Sequence, residues 1–206
     1  MNFKAGKLLD SEITLNWTLP LYAMFAISQV GWQAGLFITA VVFVSVLAHE
    51  LGHVLAARKF GVPTGGINLN LFGGMATINL DKSVEARQEA LISLAGPAVS
   101  LGLAGLAALI WSGAGVPWMF AIAWMNALLF VFNMLPAFPM DGGRIFRSLL
   151  RYKLSYEKAT SVAVSAGWVI FGVIASLAIY NGYWMLLAMT GFLALTGWAE
   201  KKGTED

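Results

Sequence analysis

The sequence contains no cysteine, and this absence removes several kinds of chemistry at once. Disulfide bonds, thiolate nucleophiles and cysteine-based zinc sites all need that side chain and are therefore excluded. Histidine is almost as scarce, because the 206 residues include only two. Any metal site with nitrogen ligands must consequently be built from these two imidazoles, with carboxylates as the remaining ligands.

Charged residues are also scarce, which excludes an ordinary soluble domain. Asp, Glu, Lys and Arg make up 12% of the chain, whereas hydrophobic residues make up 58%. Soluble domains are typically about 25% charged and about 45–50% apolar. A globular core of this length could not hide so much apolar surface. The composition therefore predicts an integral membrane protein, with the lipid bilayer as its surroundings.

Six apolar segments fit the hydropathy, and they predict an all-α polytopic membrane protein in which residues 1–206 form a single membrane domain. After the second segment the pattern changes, because Ile67 and Leu69 alternate with Asn68 and Asn70. This alternation predicts a short membrane-associated β-hairpin or strand. The predicted spans are about 17–30, 36–60, 89–111, 117–135, 159–180 and 183–198.

The basic residues predict the orientation of these spans. With six crossings and an inside N-terminus, every Lys and Arg falls on the cytoplasmic side. The three opposite turns, at 31–35, 112–116 and 181–182, carry no charge. Both termini are therefore predicted to be cytoplasmic in a multi-pass protein of the plasma or inner membrane. The basic positions are 4, 7, 58, 59, 82, 87, 144, 147, 151, 153, 158, 201 and 202.

One group of basic residues is denser than the rest. It is interpreted as part of the topological signal and as a contact for anionic lipid. A nucleic-acid partner is not predicted, because nothing beyond this charge supports one. The group consists of Arg144, Arg147, Arg151 and Lys153.

Both histidines lie in the second span, within the motif HELGH at residues 49–53. His49 and His53 are four residues apart, so on a helix they share one face and can both reach one Zn²⁺ ion. Glu50 is placed to deprotonate a water on that metal, as in other HExxH motifs. Ionisable side chains are costly inside a bilayer, so this cluster predicts a functional site. Helix rise from the basic pair at 58–59 places it ~8–15 Å below the cytoplasmic face.

A catalytic zinc ion binds three protein ligands and leaves one position open, so the third ligand here must be a carboxylate. Of the 11 acidic residues, only Glu50 and Asp141, at the broken end of the fourth span, are assigned to the membrane, because Glu89 closes the charged stretch 81–89 that leads into the third span. Prolines precede Asp141 and two glycines follow it, which predicts an irregular backbone around its carboxylate. Asp141 is also a candidate N-cap for the next helix, and both roles are compatible. We predict one Zn²⁺ per chain, held by His49, His53 and Asp141.

Two motifs in this order resemble those of the site-2 protease family of intramembrane zinc metalloproteases. The HExxH motif in the second span is followed downstream by NxxPxxPxDGG at residues 133–143. Two further segments match the family, Gly73-Gly74 and the Ala-Gly-Pro sequence at 95–97. The similarity extends over nearly the whole chain, in a minimal form without PDZ or CBS domains. Many relatives have a histidine before the first span, where this chain has Asn16.

The resemblance implies roles for individual residues. Asp141 corresponds to the third zinc ligand, and Asn133 to a residue that contacts the substrate or the oxyanion. Gly73 and Gly74 correspond to a membrane-embedded strand that receives substrate, and a hairpin that only caps the helices is the alternative. Asn126 lies seven residues before Asn133, on a similar helix face. It is either an interhelical hydrogen bonder or a residue of the site.

The resemblance also implies an activity, regulated intramembrane proteolysis. The expected substrates are transmembrane segments of single-pass membrane proteins or signal-peptide remnants, cut near the cytoplasmic face. Two other functions fit a zinc site in a membrane protein. A metal transporter is disfavoured because there is only one cluster of ligands. A catalytically inactive zinc-binding scaffold or receptor for a partner's transmembrane helix is disfavoured by Glu50, which zinc binding alone does not require.

Overall fold

A computed structural model describes residues 2–9, 11–70 and 73–205 of the chain. Helices account for most of these residues, as the hydropathy predicts, and short strands account for a smaller part. The elements in chain order are β1 (Asn2–Leu8), β2 (Ser11–Asn16), α1 (Leu19–Val30), α2 (Trp32–Lys59), β3 (Thr64–Asn70), β4 (Gly73–Ile78), α3 (Ala86–Ala114), α4 (Pro117–Asn133), α5 (Asp141–Leu150), α6 (Tyr156–Tyr180) and α7 (Trp184–Glu205).

Each predicted span coincides with a helix, but about six membrane crossings are not confirmed. By length and composition, α2, α3 and α6 are the helices within the described ranges that could cross a membrane. The helix α1 has 12 residues and α4 has 17. At 1.5 Å per residue they measure about 18 Å and about 25 Å, against a hydrocarbon core of about 30 Å. Hydropathy locates these apolar helices without fixing whether each one spans.

The strands form one four-stranded mixed sheet in the order β1-β2-β3-β4. The pairs β1–β2 and β3–β4 are antiparallel, whereas β2 and β3 are parallel. The β3–β4 pair is the hairpin predicted after the second span. The all-α description is wrong in one respect, because the N-terminal segment contributes two more strands. Parallel pairing of β2 with β3 requires a long connection, which α1 and α2 provide.

Arg58, near the end of α2, contacts both parts of this sheet. Its Nη2 donates to Ser11 Oγ at 2.9 Å, and its Nε donates to Thr64 Oγ1 at 3.2 Å. Its Nη1 donates to the carbonyl oxygen of Leu9. One guanidinium group therefore holds the beginnings of β2 and β3 against the end of α2, because its donors point in several fixed directions.

The chain forms two compact units, and the first comprises residues 1–80 and 95–130. Its core packs apolar side chains of α2 against those of β3. The helices α2 and α3 approach closely at Gly52, where a Cβ would lie 2.9 Å from the Ala95 carbonyl oxygen. This contact lies on the turn of α2 that carries the two histidines. The core residues are Val46, Val54, Ile67 and Leu69.

The second unit comprises residues 81–94 and 131–206. Its most unusual feature is a cluster of charged residues, here called the ion cluster, formed by Glu89, Arg147, Arg151 and Glu200. Arg147 is 0% exposed and its Nε donates to Glu89 Oε1 at 2.7 Å. The interpretation of Arg147 as a contact for lipid is therefore wrong, because its guanidinium is enclosed by protein.

Candidate metal centre

The helix α2 places His49 and His53 on one face, as their spacing predicts. Their Nε2 atoms lie 3.1 Å apart, and both residues are buried. Two nitrogen ligands on a tetrahedral zinc ion, each at 2.0–2.1 Å, lie about 3.3 Å from one another. The pair of imidazoles therefore fits two ligand positions of one metal ion.

Gly96 of α3 keeps the region beside these nitrogens free of side chains. A Cβ at this position would clash with His53 Nε2 and would lie 2.7 Å from His49 Nε2. Any residue larger than glycine would occupy the region in which a metal ion has to bind. The absence of a side chain here is a second observation that fits a metal centre.

Ser100 of α3 contacts the other ring nitrogen of His49. Its Oγ lies 2.9 Å from His49 Nδ1, and its side chain is 0% exposed. When Nε2 binds a metal, Nδ1 carries the proton and donates it to this oxygen, which fixes the ring orientation. The sequence motifs place Ser100 in a stripe of small residues suited to helix packing and do not indicate its contact with His49. A signal was present, because Ser100 lies four residues after Gly96 and therefore on the same face of α3.

Glu50 is held by the sheet as well as by its helix. Its Oε2 accepts a hydrogen bond from the backbone N–H of Ala76 in β4 at 2.8 Å. The strand comes this close because Gly74 has no side chain. A Cβ on Gly74 would lie 2.8 Å from Glu50 Cγ and 2.6 Å from Val46 Cγ1. Gly73, which precedes it, has a φ of 126°, in a region that favours glycine.

Asn126 of α4 is completely buried and bonds to α2. Its Nδ2 donates to Ser45 Oγ at 2.9 Å and to the Ile122 carbonyl oxygen at 2.9 Å. Ser45 lies one turn before His49 on α2. Asn126 is therefore an interhelical hydrogen bonder, and its role in substrate binding stays a prediction.

Asn133 and Asp141 belong to the second unit and flank its irregular segment. Asn133 is the last residue of α4 and Asp141 the first residue of α5, with a cis Phe138–Pro139 bond between them. The N-cap of α5 is Met140, so the N-cap assignment of Asp141 is wrong. Asp141 lies instead in the first helical turn, where a carboxylate is favoured by the helix dipole.

A sequence model described as peptidase family M50 matches residues 37–118 and 107–174, which together exceed half of the chain. The chain belongs to peptidase family M50. Its resemblance to site-2 proteases is confirmed by a solved structure, the site-2 protease from Methanocaldococcus jannaschii. The two chains are 28% identical with a TM-score of 0.76, and the match covers 98% of this chain and 95% of that one.

Curated proteins similar to this M50 chain include zinc metalloprotease MJ0392 of Methanocaldococcus jannaschii. The two are 37% identical over an alignment of 201 residues, which covers 92% of this chain and 55% of that protein. Stage IV sporulation protein FB of Bacillus subtilis is 29% identical over an alignment of 119 residues, which covers 55% of this chain and 40% of that protein. The chain spans about half the length of the curated relatives it matches.

Zinc is the metal that this chain's M50 family and its side chains both indicate. The chain has the two imidazoles of His49 and His53 and the carboxylate of Asp141, a set that could hold a metal ion. Two nitrogens and one carboxylate oxygen are a ligand set found in catalytic zinc sites. The prediction of a zinc cofactor is confirmed.

Proposed function

We propose that this M50 chain is an intramembrane zinc endopeptidase that cuts transmembrane segments of membrane proteins near the cytoplasmic face. Its substrates are single-pass membrane proteins or signal-peptide remnants. The observation that carries the proposal is Glu50. Its carboxylate follows the first histidine of a buried imidazole pair and is held by the N–H of Ala76. Zinc binding alone needs no such group, whereas hydrolysis needs a base.

His49, His53 and Asp141 would hold the zinc ion. A bound zinc ion supplies polarisation of a peptide carbonyl and a lowered pKa of water. The assignment of Asp141 is supported by the need for a third ligand and by the family motif in which it lies. Asp141→Ala is expected to lower the zinc content of the purified protein strongly. Full zinc content in that variant would remove Asp141 from the ligand set.

Glu50 moves the proton during hydrolysis. Its carboxylate accepts a proton from the attacking water while the new C–O bond forms. It then donates that proton to the amine nitrogen while the C–N bond breaks. Asn133 would donate its side-chain N–H to the carbonyl oxygen on which negative charge develops. One such donor contributes about 2.7–4 kcal/mol in well-studied hydrolases.

The substrate has to unwind before this reaction, because a helix engages its carbonyl groups in hydrogen bonds. The strand β4 lies at the edge of the sheet, and its Ala76 contacts Glu50. An extended peptide segment could pair with such an edge, with Gly73 and Gly74 as contacts. Asn126 would contribute its Oδ1, which is buried and has no hydrogen-bond partner among the described residues.

In this proposal the chain crosses the plasma or inner membrane six times, with both termini in the cytoplasm. The positions of the 13 Lys and Arg residues support that arrangement, since all fall on one side. The short helices α1 and α4 would then require local thinning of the bilayer. Such thinning is a known response to a hydrophobic stretch shorter than the hydrocarbon core.

The test is a cleavage assay in liposomes with a panel of single-pass substrates, with and without a chelator. Cleavage is expected to stop on chelation and to return when Zn²⁺ is added. Glu50→Gln should keep the zinc and the fold but lose cleavage by about 10²–10⁴-fold, the contribution of a positioned base. Glu85→Gln is the matched control, because Glu85 is an exposed glutamate outside the site.

The alternative function is the catalytically inactive zinc-binding scaffold. If the Glu50→Gln variant cuts as fast as the unchanged protein, with contaminating protease excluded, the peptidase proposal is overturned. A protein that binds zinc and a partner's transmembrane helix but cuts no member of the panel would favour the scaffold.

A further inference from the structure

We infer that the backbone N–H of Ala76 is a positioning group for Glu50, so that the edge strand β4 orients the catalytic base. The inference rests on the proposed function, because it takes Glu50 to be that base. It adds a part of the chain with no side-chain chemistry of its own to the catalytic apparatus.

The two carboxylate oxygens of Glu50 differ in their hydrogen bonding. The oxygen Oε2 accepts the Ala76 N–H at 2.8 Å. The structure gives Oε1 no hydrogen-bond partner among the described residues. One oxygen is therefore anchored, and the other is left to accept a proton. A hydrogen bond from an N–H to a carboxylate is charge-assisted and hence stronger than one between neutral groups.

Two features of β4 allow this contact between Ala76 and Glu50. In the β3–β4 pair Ala76 lies opposite Ile67, but its N–H is donated to α2. Gly74, two residues earlier on the same face of the strand, allows the backbone to approach Glu50 and Val46. A glutamate side chain has three rotatable bonds, and fixing them before the reaction lowers the barrier by avoiding reorganisation during the step.

The contact also constrains how a substrate can lie on the edge of β4. The Ala76 N–H is already engaged, so an extended peptide cannot use it as a donor and has to pair with the Ala76 carbonyl oxygen and with the residues on either side. The ladder between substrate and β4 is interrupted at the residue that holds the base. A substrate carbonyl facing Ala76 is then left without a donor from β4.

The test removes the N–H while leaving Glu50 in place. Ala76→Pro deletes the donor, and proline is tolerated on edge strands where the N–H does not bond to the neighbouring strand. We expect kcat to fall by about ten- to hundredfold, less than the loss of the base itself. KM and zinc content should stay within about twofold of the unchanged protein, since ligands and substrate contacts remain. Ala76→Gly keeps the N–H and serves as the comparison for loss of the methyl group, so kcat should fall less in this variant than in Ala76→Pro.

A second variant keeps the result interpretable if Ala76→Pro does not fold. Lactic acid introduced at position 76 by nonsense suppression replaces the N–H by an ester oxygen and keeps the methyl group. It should lower kcat in the same way. Combining either change with Glu50→Gln should cause no further loss, because both changes act through one group.

The outcomes separate this inference from the proposed function. If Glu50→Gln abolishes cleavage but the lactic acid variant cuts with the unchanged kcat, the positioning role is wrong and the peptidase stands. A rise in KM without a fall in kcat also contradicts the inference, because β4 would then serve only to bind substrate. If Glu50→Gln itself cuts normally, the proposed function fails first.

Discussion

Among single residues, Gly96 is the position at which one methyl group should most disturb the metal centre. A Cβ there would clash with His53 Nε2 and lie 2.7 Å from His49 Nε2. Gly96→Ala is therefore expected to lower the zinc content well below one per chain, measured by elemental analysis. Gly102→Ala in the same helix is the matched control, since a Cβ there meets nothing within 4 Å. Equal zinc in both variants would contradict this geometry.

Ser100 provides a second prediction at the residue scale. Ser100→Ala removes the oxygen that lies 2.9 Å from His49 Nδ1 and with it one hydrogen bond that orients the imidazole ring. Loss of such a partner typically lowers metal affinity about 10–100-fold. Competition with a chromogenic chelator would measure the change. Ser112→Ala is the control, because Ser112 Oγ bonds only to the Leu109 carbonyl oxygen of its own helix in the described structure.

The sequence predicts those site residues whose relation is local. His49, Glu50 and His53 fall within five residues, so helix geometry alone brings the two imidazoles together. Ser100 and Ala76 contact this turn through tertiary packing, which no local pattern encodes. The contribution of Ala76 is a backbone N–H, which any residue except proline would supply. The side-chain type at that position therefore carries no signal.

At the scale of elements, the ion cluster attaches α5 to the beginning of α3 and to α7. The guanidinium of Arg147 contacts Glu89 Oε1 at 2.6 Å and Glu200 Oε1 at 3.1 Å, and it stacks on the ring of Phe138 at 4.8 Å. Arg151 Nη1 bonds to the other oxygen of Glu89 at 2.7 Å. The carboxylate of Glu89 therefore joins α3 to α5 through Arg147 and to the residue that caps α5, Arg151.

Arg147→Ala is expected to destabilise the protein more than any change to an exposed basic residue nearby. It removes one of the two arginines whose positive charge stabilises the carboxylate of Glu89, which is 1% exposed. Removing one member of a buried ion pair typically costs about 3–5 kcal/mol. Unfolding in mixed micelles of increasing denaturing detergent would measure the difference. Lys153→Ala is the control, because Lys153 is exposed, and a similar loss in both variants would contradict the prediction.

The sheet shows where prediction of elements from the sequence ends. Alternation of Ile67 and Leu69 with asparagines predicts β3, since a strand with one buried face has that period. The partner of β3 on its other side is β2, whose Thr14 lies opposite Asn68. The helices α1 and α2 separate these two strands in the sequence, and Arg58 bonds to Ser11 of β2 and to Thr64 of β3. A basic residue at a helix end is equally explained by topology, so its contact with the sheet could not be foreseen.

At the scale of the whole molecule, the distribution of charge and the lengths of the helices constrain the topology differently. The uncharged segments at 31–35, 112–116 and 181–182 each include the break between two consecutive apolar helices. This pattern favours six crossings. The lengths of α1 and α4 are nevertheless below that of a full span. The distribution of charge predicts the side of the membrane on which each connection lies, and this prediction does not depend on helix length.

The absence of cysteine makes this topology directly testable, because each introduced thiol is the only one in the chain. Single cysteines at Ser112 and Asn181 should react with a membrane-impermeant maleimide from outside intact cells. Cysteines at Ser83 and Tyr152 should react only after the membrane is permeabilised. All four positions are exposed, so accessibility from one side is decided by the bilayer and not by protein packing.

The labelling pattern also decides on which side of the membrane the proposed cleavage would occur. Arg58 and Lys59 follow His53 within two turns of α2, so the zinc ligands lie near whichever face these basic residues occupy. Labelling of Ser83 from outside would invert the orientation and move the proposed cleavage to the outer face. Labelling of Ser112 and Ser83 from the same side would instead mean that α3 does not cross. Only the predicted pattern places Glu50, the proposed base, within reach of a peptide bond near the cytoplasmic end of a substrate helix.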